Sequence, residues 1–516
     1  MLTADTTIKY EKEFISNFNA SENDKLYHEE ISKIAQLYPD KCAIVFNETK
    51  FTYKELDEMT NSLAYYLRKQ NVNRNDIIPI ISNRSPYYII GTLGVSKAGG
   101  AYLPIDPKLP IDRIQLLLNE CQPKLVLFNN IEDIIDKLNI NKTEFIYCNL
   151  KNHNYSQNIG KIDNINESND LSYVLFTSGS TGEPKGTLIN HYNLYNFVRS
   201  YKKNSNEYCM YDVLNENNVK TVLSISNFSF CTSNVDNIVS LIHGLKVVLA
   251  DDIVSNDITL LSKYITDNNV DFFIITPTRL NLFLENDLFR NSLDKVKAIC
   301  LAGEKLSFEL CRKIRKYSNC NIYNTYGLTE CTAVCSCKKI IVNNDNNKDD
   351  IITIGKPLSS CKIYILDQNM KSVPIGVEGE IYIGGYTVGD GYLHHEEWTK
   401  AKYIKNPFNT KNDLNEKHNQ IIIKTGDLGK WTNNGEIEYL GRMDSQVKIH
   451  GQRIELGEIE SKIHEIDGID QCIVIDKVKK ETNEKYLMCY YTLTKENKNK
   501  VESNEIREYL KKKLPL

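Results

Sequence analysis

One stretch of the chain spaces hydroxyl, glycine and lysine residues as a phosphate-binding loop requires. It runs from Thr177 to Gly186 and reads TSGSTGEPKG. Closely approaching backbone N–H groups, hydroxyl donors and the cation of Lys185 are what a polyphosphate needs. Because Pro184 precedes Lys185 and Gly186 follows it, the P-loop pattern GxxxxGK[ST] is not met. The candidate phosphate-binding residues are Thr177, Ser178, Gly179, Ser180, Thr181, Gly182 and Lys185.

The residues around this loop predict the elements that position it. Leu171 to Phe176 is a short apolar run typical of a buried strand, and Asn190 is a suitable cap for a following helix. The apolar positions of that helix recur at helical spacing: Leu194, Phe197, Val198 and Tyr201. We therefore expect a strand, the loop and then a helix.

Upstream of the loop, helical and strand patterns alternate. A helix is predicted over 51–69, a strand over 77–82, a helix over 87–98 and a strand over 125–128. Such alternation favours an α/β architecture with largely parallel sheets. Within the segment 96–106, glycines permit close helix packing and Pro104 is expected to end its element.

Composition narrows the class of protein. A chain of 516 residues is too long for a single hydrophobic core, so two or more domains are expected. Its net charge of −4 provides no overall positive field that would attract nucleic acid. No apolar run approaches the roughly 20 residues that cross a bilayer, and the first residues lack a signal-peptide core. The 14 cysteines show no pairing pattern, so we predict a soluble cytoplasmic protein with reduced thiols. Cys331, Cys335 and Cys337 are interpreted as apolar thiols rather than metal ligands.

The loop resembles the signature of the adenylate-forming superfamily, which includes nonribosomal peptide synthetase adenylation domains, acyl-CoA synthetases and luciferases. Further segments resemble the same family: FTYKEL at 51–56, SKAGGAYLPID at 96–106 and GEIYIGGYTVGDGYL at 379–393. The last differs from the usual pattern at Gly389-Asp390, where Ala-Arg is common. The longest match is GRMDSQVKIHGQRIELGEIE at 441–460, and it is most similar to peptide-synthetase adenylation domains.

The segment IYNTYGLTE at 322–330 resembles the family's adenine-and-metal segment. The resemblance implies that Asn324 pairs with the adenine edge, Tyr326 stacks on the base and Thr329 reaches the phosphates. It also implies that Glu330 supplies a hard oxygen ligand to Mg²⁺. Leu328 stands where proline is usual, and this change leaves those side chains in place. ATP and Mg²⁺ are therefore the expected cofactors.

Two segments near the C-terminus complete the implied nucleotide site. By resemblance, Asp427 accepts both ribose hydroxyls and Arg442 is a second ribose contact. Asp444 is implied as the hinge about which a small domain rotates. Lys448 is implied as a catalytic residue that comes near the active site in the second conformation. Sequence alone would also allow Asp427 to be a solvated turn residue.

The acid-binding pocket departs from the family pattern. Phe230 is followed by Cys231, where relatives place the aspartate that pairs with an α-ammonium group at the start of an amphipathic helix. A desolvated ammonium without a counter-ion would cost several kcal/mol, so an α-amino acid fits poorly. Asp236 is expected to point away, and a β-amino acid stays open as an alternative. The aligned pocket residues are Phe230, Cys231, Thr232, Val235, Ile274, Cys300, Ala302, Thr325, Ala333 and Val334.

The resemblance implies a large domain over 1–443 and an incomplete small domain over 444–516. The expected activity is ATP-dependent formation of an acyl-adenylate from an acid that lacks an α-amino group, such as a hydroxybenzoate. The acyl group then passes to a phosphopantetheine thiol on a carrier protein. A match that begins near Met1 suits a stand-alone or chain-initiating unit. Because the chain stops before the family's C-terminal lysine, we expect it to bind ATP and acid yet adenylate weakly.

Two other interpretations remain open at this point. An acyl- or aryl-CoA synthetase would use free CoA as the acceptor. A nucleotide-binding scaffold without activity would keep the fold and lose the chemistry. The sequence indicates neither a nucleic-acid nor a membrane partner.

Overall fold

The computed structural model describes most of the chain, in ten ranges. They are 24–138, 146–179, 183–199, 208–342, 351–409, 420–444, 446–449, 452–479, 485–494 and 501–515. The predictions for Ser180, Thr181, Gly182 and Tyr201 lie outside the described residues.

The first part of the chain alternates helices and strands, as predicted. Its elements are α1 (Tyr27–Leu37), β1 (Cys42–Phe46), β2 (Thr49–Thr52), α2 (Tyr53–Lys69), β3 (Ile77–Ser82), α3 (Pro86–Ala98), β4 (Ala101–Ile105), α4 (Ile111–Cys121), β5 (Leu125–Asn129), α5 (Glu132–Ile135), β6 (Ile146–Asn149), β7 (Leu171–Thr177), β8 (Lys185–Asn190) and α6 (His191–Val198). The helix α2 begins at Tyr53 because Thr52 and Glu55 form a capping box. Asn190 caps α6 in the same way, with Asn193 as its partner.

The middle of the chain continues the alternation. Its elements are α7 (Met210–Glu216), β9 (Thr221–Ser224), a π-helical turn (Val235–Val239), α8 (Ser240–Ile242), β10 (Lys246–Leu249), α9 (Asp252–Asn256), α10 (Ile258–Asp267), β11 (Phe272–Ile275), α11 (Pro277–Phe283), α12 (Asp287–Ser292), β12 (Ala298–Ala302), α13 (Phe308–Tyr317), β13 (Asn321–Tyr326) and β14 (Ser336–Ile340). The helix expected after Phe230 is present but is not amphipathic. All of Val235–Val239 is buried, because this turn packs inside the main core.

Strands dominate the next part. They are β15 (Lys356–Pro357), β16 (Cys361–Leu366), β17 (Gly379–Gly385), β18 (Gly391–Tyr392), β19 (Tyr403–Lys405), β20 (Ile421–Trp431) and β21 (Ile437–Arg442), with α14 (Glu396–Lys402) between β18 and β19. The C-terminal elements are β22 (Gln446–Ile449), β23 (Gln452–Glu455), α15 (Leu456–His464), β24 (Ile469–Val478), β25 (Lys485–Leu493) and α16 (Ser503–Lys513). Short 3₁₀ turns occur at Leu150–Asn152, Leu293–Lys295 and Thr329–Cys331.

The described strands form two large mixed sheets and one smaller sheet. One has the order β18-β8-β7-β4-β3-β5-β6, and the other has the order β15-β14-β13-β12-β11-β9-β10-β1-β2. Their central pairs are parallel, which confirms the predicted α/β class. The largest hydrophobic cluster takes residues from both sheets and from the helices α1, α2, α3 and α6. The third sheet joins β16, β17, β20, β19 and β21.

Pro104 does not end its element, contrary to the prediction. It lies inside β4, opposite Ile80 of β3. On the other side, β4 pairs with β7 only at Tyr102 and Tyr173. At Pro104, β7 no longer pairs with β4. Proline has no N–H, but no hydrogen bond between these two strands is lost at that position.

The C-terminal subdomain has a core of its own. Val447, Ile449, Leu456, Ile463 and Val474 form a separate buried cluster. Their two sheets, β22-β23 and β24-β25, do not join the three larger sheets within the described strands. None of the described helices is long and apolar enough to cross a membrane.

A buried histidine pair gives the fold a pH-dependent stability. The rings of His28 and His191 are 5.4 Å apart, and neither nitrogen of His191 has a hydrogen-bond partner among the described residues. Burial lowers the pKa of His191 to about 4, although Asp170 opposes the shift. The unfolded chain, with an ordinary histidine pKa near 6.5, therefore binds more protons than the folded chain below that pH.

We expect stability to be fully present above about pH 6.5 and to fall by roughly 3 kcal/mol as the pH drops toward 4. Urea unfolding at a series of pH values measures this loss. The His191→Gln variant is expected to show a flatter profile between these pH values. An equally steep profile in that variant would assign the loss to other groups.

Candidate active site

The candidate phosphate loop closes a β-hairpin. Residues Thr177 of β7 and Lys185 of β8 are paired, and β8 ends at Asn190, where α6 begins. The predicted strand–loop–helix order was therefore wrong in one respect, because a strand separates the loop from the helix. The β-branched residues Thr187 and Ile189 favour that strand, and both are buried in it.

Glycine is required inside this loop. A Cβ on Gly179 would lie 2.0 Å from the carbonyl oxygen of Glu183 and 3.1 Å from Cε of Lys185. The hydroxyl of Thr177 is buried and has no partner among the described residues, whereas Ser178 Oγ donates to the carbonyl of Arg453 at 2.7 Å. Backbone and hydroxyl groups are thus brought close together beside a lysine.

Lys185 is held against aromatic rings. Its Nζ lies 5.8 Å from the ring centre of Tyr392 and 5.2 Å from that of Trp398, which are cation–π distances. Burial lowers its pKa, and the nearby charge of Arg453 lowers it further. No carboxylate of the described residues lies within ion-pair distance of Lys185. Its charge is therefore available for a bound anion.

Glu330 lies at the centre of the site. It is fully buried, and Tyr392 donates to its Oε1 at 2.8 Å. Arg453 Nη1 contacts both carboxylate oxygens, at 2.9 and 3.2 Å. Burial alone would raise the pKa of Glu330, but the charges of Arg453 and Lys402 hold it well below its usual range. The carboxylate is therefore ionised and is built to face a cation.

Asp427 lies within a strand and is not a solvated turn residue. It sits on β20 directly opposite Arg442 of β21, and its side chain is 1% exposed. Tyr326 donates to its Oδ2 at 2.6 Å, and Arg442 donates to its Oδ1 at 3.1 Å. The structure thus brings together three residues that resemblance assigned to the nucleotide.

A cavity of about 1160 Å³ opens beside these residues. One wall comes from the large sheets and includes Asn324, Tyr326 and Gly327, and the opposite wall comes from the C-terminal subdomain and includes Lys448. The amide nitrogen of Asn324 donates to the carbonyl of Thr353, which fixes its orientation. A cavity of this size accommodates a nucleotide.

The hinge candidate is tied to the nucleotide residues. Arg442 Nε donates to Asp444 Oδ1 at 2.9 Å, and the N–H of Gln446 donates to the same oxygen at 3.2 Å. Lys448 of β22 follows and pairs with Arg453 of β23. Burial lowers the pKa of Lys448, while Asp427 opposes that shift.

The residues aligned with the acid pocket lie on neighbouring strands. Ile274 of β11 pairs with Cys300 of β12, and Ala302 pairs with Thr325 of β13. The hydroxyl of Thr329 lies 3.8 Å from Cys231 Sγ. The buried members of the set are Val235, Ile274, Cys300, Ala302, Thr325, Ala333 and Val334, and Cys231 and Thr232 are half-buried.

Three details refine the predicted pocket. Phe230 is 36% exposed, because it lies in the turn before the buried helix. Thr325 Oγ1 already donates to the carbonyl of Leu301 at 3.1 Å, so it can only accept from a substrate. Asp236 Oδ2 accepts from the N–H of Ser226 at 3.0 Å, and burial raises its pKa to about 7.

The sequence did not single out Arg453, Tyr392, Trp398 or Lys402. Arg453 lies inside the longest matching segment, but only the hairpin register places it opposite Lys448 and next to Glu330. Trp398 and Lys402 are four residues apart on α14 and therefore share one helix face. In the described part of the chain, no group of three or more His, Cys, Asp or Glu side chains is placed to hold a metal ion without help from a ligand.

Comparison with known proteins identifies the family of this chain. Residues 31–393 match the family described as AMP-binding enzyme. Bacitracin synthase 3 of Bacillus licheniformis is 35% identical over 494 residues, which cover 95% of this chain and 7% of that protein. The chain thus spans less than a tenth of this relative's length. It belongs to the AMP-binding enzyme family.

Solved structures share the fold. An artificially fused adenylation–PCP di-domain, NpsA-ThdA from Klebsiella oxytoca, superposes with a TM-score of 0.80 at 21% identity, covering 96% of this chain and 93% of that one. Klebsiella oxytoca NpsA in complex with 3-hydroxyanthranilyl-AMSN gives a TM-score of 0.69 at 20% identity, covering 94% and 92%.

Proposed function

We propose that this chain activates a carboxylic acid as its acyl-adenylate and transfers the acyl group to a phosphopantetheine thiol on a carrier protein. The observation that carries the proposal is that Asp427 binds two residues that line the cavity, Tyr326 and Arg442. In addition, Lys185 and Glu330 both contact Tyr392. Residues 1–443 would form the large domain with the ATP and acid sites. Residues 444–516 would form the small domain, with Asp444 as its hinge.

The nucleotide residues take separate roles in this proposal. Tyr326 and Asn324 face the adenine, Asp427 and Arg442 face the ribose, and Lys185 faces the phosphates together with the loop from Thr177 to Gly182. A carboxylate oxygen of the acid attacks the α-phosphorus, and the bond to the pyrophosphate oxygen breaks. The cation of Lys185 stabilises charge on the phosphates, and positioning accounts for most of the catalysis.

Glu330 fits the role of a Mg²⁺ ligand. Its carboxylate is buried and ionised, and a guanidinium already stands beside it as a cation. Carboxylate oxygens are the ligands that Mg²⁺ prefers, usually together with substrate phosphates and water. When bound, Mg²⁺ would neutralise phosphate charge. Thr329 lies one residue before Glu330 and would face the same phosphates.

The acid is proposed to lack an α-amino group. Cys231 stands where an ammonium-binding aspartate would be, and burial raises the pKa of its thiol and that of Cys300. Both are therefore neutral at pH 7 and provide no counter-ion. The small, apolar surroundings suit an aromatic carboxylic acid of about benzoate size, such as a hydroxybenzoate. The NpsA complex with 3-hydroxyanthranilyl-AMSN is consistent with an aryl group on this fold.

The position of the C-terminal subdomain beside the cavity supports a carrier protein as the acceptor of the acyl group. Lys448 of that subdomain lines the cavity, and the cavity lies between the subdomain and the large sheets. One relative is bacitracin synthase 3, and a solved structure with this fold is an artificially fused adenylation–PCP di-domain. Comparing holo carrier protein with free CoA as acceptor would separate this proposal from a CoA synthetase.

An ATP–pyrophosphate exchange panel over carboxylic acids tests the substrate class. We expect the strongest exchange with a hydroxybenzoate and weaker exchange with short 2-oxo or 2-hydroxy acids. Strongest exchange with an ordinary L-α-amino acid would refute the role given to Cys231. Strongest exchange with a β-amino acid would instead point to Asp236.

A substitution in the pocket gives a matched prediction. In Cys231→Asp, an unpaired carboxylate faces a substrate that has no ammonium group, so the substrate's binding free energy is expected to weaken by about 1–3 kcal/mol. The acid's apparent Kd, measured with ATP present, reports the change. Cys231→Ser is the control, because it keeps a small neutral side chain. Equal losses in both variants would show that size, rather than charge, determines the effect.

A further inference from the structure

Arg453 occupies the carboxylate that the proposed function assigns to a metal ion. Its Nη1 is 2.9 Å from Glu330 Oε1 and 3.2 Å from Oε2, and the two side chains are 17% and 1% exposed. Tyr392 also donates to Oε1. Both oxygens of Glu330 are therefore engaged, one of them twice.

A guanidinium and a magnesium ion disfavour each other at one carboxylate. Mg²⁺ takes oxygen ligands at about 2.1 Å in near-octahedral geometry, with water filling several positions. The guanidinium of Arg453 occupies space beside both oxygens of Glu330, and its positive charge repels a cation at close range. Arg453 in this position therefore weakens binding of Mg²⁺ at Glu330.

Arg453 contacts the large sheets through its backbone as well as through its side chain. Its carbonyl accepts from Ser178 Oγ of the phosphate loop at 2.7 Å. The same subdomain is held against the large sheets by Arg113 and Glu458, which are 3.0 Å apart and buried. Lys513 and Asp112 add an exposed pair at 2.8 Å. The Arg453–Glu330 ion pair is thus one of several contacts that undocking of the β22–β23 hairpin would break together.

We propose that Arg453 and Mg²⁺ compete for Glu330, so that the Arg453–Glu330 ion pair holds the C-terminal subdomain docked until Mg²⁺ with ATP displaces it. The inference rests on the proposed role of Glu330. In the docked state, Lys448 faces the cavity, and the positive charge of Arg453 replaces that of the metal. Glu330 therefore binds Arg453 when the C-terminal subdomain is docked and Mg²⁺ when it is undocked. Which of the two cations is bound determines which arrangement is stable.

The test is the Mg²⁺ requirement for nucleotide binding. A fluorescent, non-hydrolysable ATP analogue is titrated with Mg²⁺ in the unmodified chain and in Arg453→Gln. Loss of the competing cation is expected to lower the half-saturating Mg²⁺ concentration about fivefold or more. Lys513→Gln is the control, because it removes an exposed ion pair across the same boundary. An unchanged Mg²⁺ requirement in a folded Arg453→Gln protein would overturn the inference.

Hydrogen exchange on the unmodified chain gives an independent measurement. Mg²⁺ with the ATP analogue is expected to raise amide exchange in 446–455, whereas AMP without metal is expected to leave this segment protected. Unchanged exchange at saturating Mg²⁺ and analogue would overturn the inference, even if the variant fails to fold. Failure of the unmodified chain to bind the analogue with Mg²⁺ would instead refute the proposed function, and the inference with it.

Discussion

Replacing Lys185 or Glu330 by alanine is expected to lower the rate of acyl-adenylate formation by about 10²-fold or more. Lys185→Ala removes the cation proposed to face the phosphates when negative charge moves onto pyrophosphate, and Glu330→Ala removes the proposed Mg²⁺ ligand. A single such interaction contributes about 3 kcal/mol. No carboxylate of the described residues lies within ion-pair distance of Lys185, and Glu330 is ionised and buried. Pyrophosphate exchange with the best acid of the panel measures the loss.

The two variants can be separated from general damage to the fold. Lys400→Ala is the control, because Lys400 lies on the same helix as Trp398 and forms only an exposed pair with Glu396. Asp427→Ala is expected to weaken ATP binding more than it slows the chemical step. Exchange within about threefold of the parent in both Lys185→Ala and Glu330→Ala would contradict the site assignment, since that is less than about 1 kcal/mol. A parent without any exchange would favour the inert scaffold.

Local patterns predicted much of the fold because the signals lie within single elements. The boundaries of β3 and α2 follow from an apolar run and from a helical stripe with a capping box. The cap at Asn190 was predicted for the same reason. The strand β8 was missed because its pairing with β7 is a tertiary contact, and a six-residue segment with a glycine has little strand signal of its own.

In the site too, local sequence motifs predicted some residues, whereas contacts between distant parts of the chain were not predicted. Resemblance placed Glu330, Asp427 and Lys448, whereas their partners depend on contacts between distant parts of the chain. Arg453 is 123 residues from Glu330, and no periodicity relates the two positions. Pro104 was misjudged because its tolerance depends on where β7 diverges from β4. In each case the missing information was which strand lies beside which.

The buried pair between Arg113 and Glu458 leads to a second large expected effect. In Arg113→Gln, the carboxyl of Glu458 loses its counter-charge while it remains 6% exposed. Breaking a buried pair in this way costs about 3 kcal/mol or more, although a carboxyl can reduce the cost by taking up a proton. Burial already raises the pKa of Glu458, and Arg113 opposes that shift. We therefore expect only a minor fraction of Arg113→Gln molecules to have the C-terminal subdomain docked.

Transfer of the acyl group is the step that this substitution is expected to affect. If Lys448 acts only when the C-terminal subdomain is docked, thioester formation from a supplied acyl-adenylate is expected to fall about 10²-fold in Arg113→Gln. Acyl-adenylate formation from ATP is expected to stay within about threefold, because neither residue contacts the nucleotide residues. Rates of loading onto a holo carrier protein, measured separately from pyrophosphate exchange, give both numbers.

Charge reversal distinguishes a positioning pair from residues that merely stabilise the fold. Arg113→Glu alone places two carboxylates together and is expected to be the most impaired variant, whereas Arg113→Glu combined with Glu458→Arg restores an ion pair across the same boundary. We expect the double variant to recover loading to within about tenfold of the parent, since opposite charges again meet at this position. Lys513→Gln, which removes the neighbouring exposed pair with Asp112, is expected to load normally because surface pairs contribute little. A double variant no better than Arg113→Glu, or equal losses in both half-reactions, would mean that this pair does not hold the subdomain for transfer.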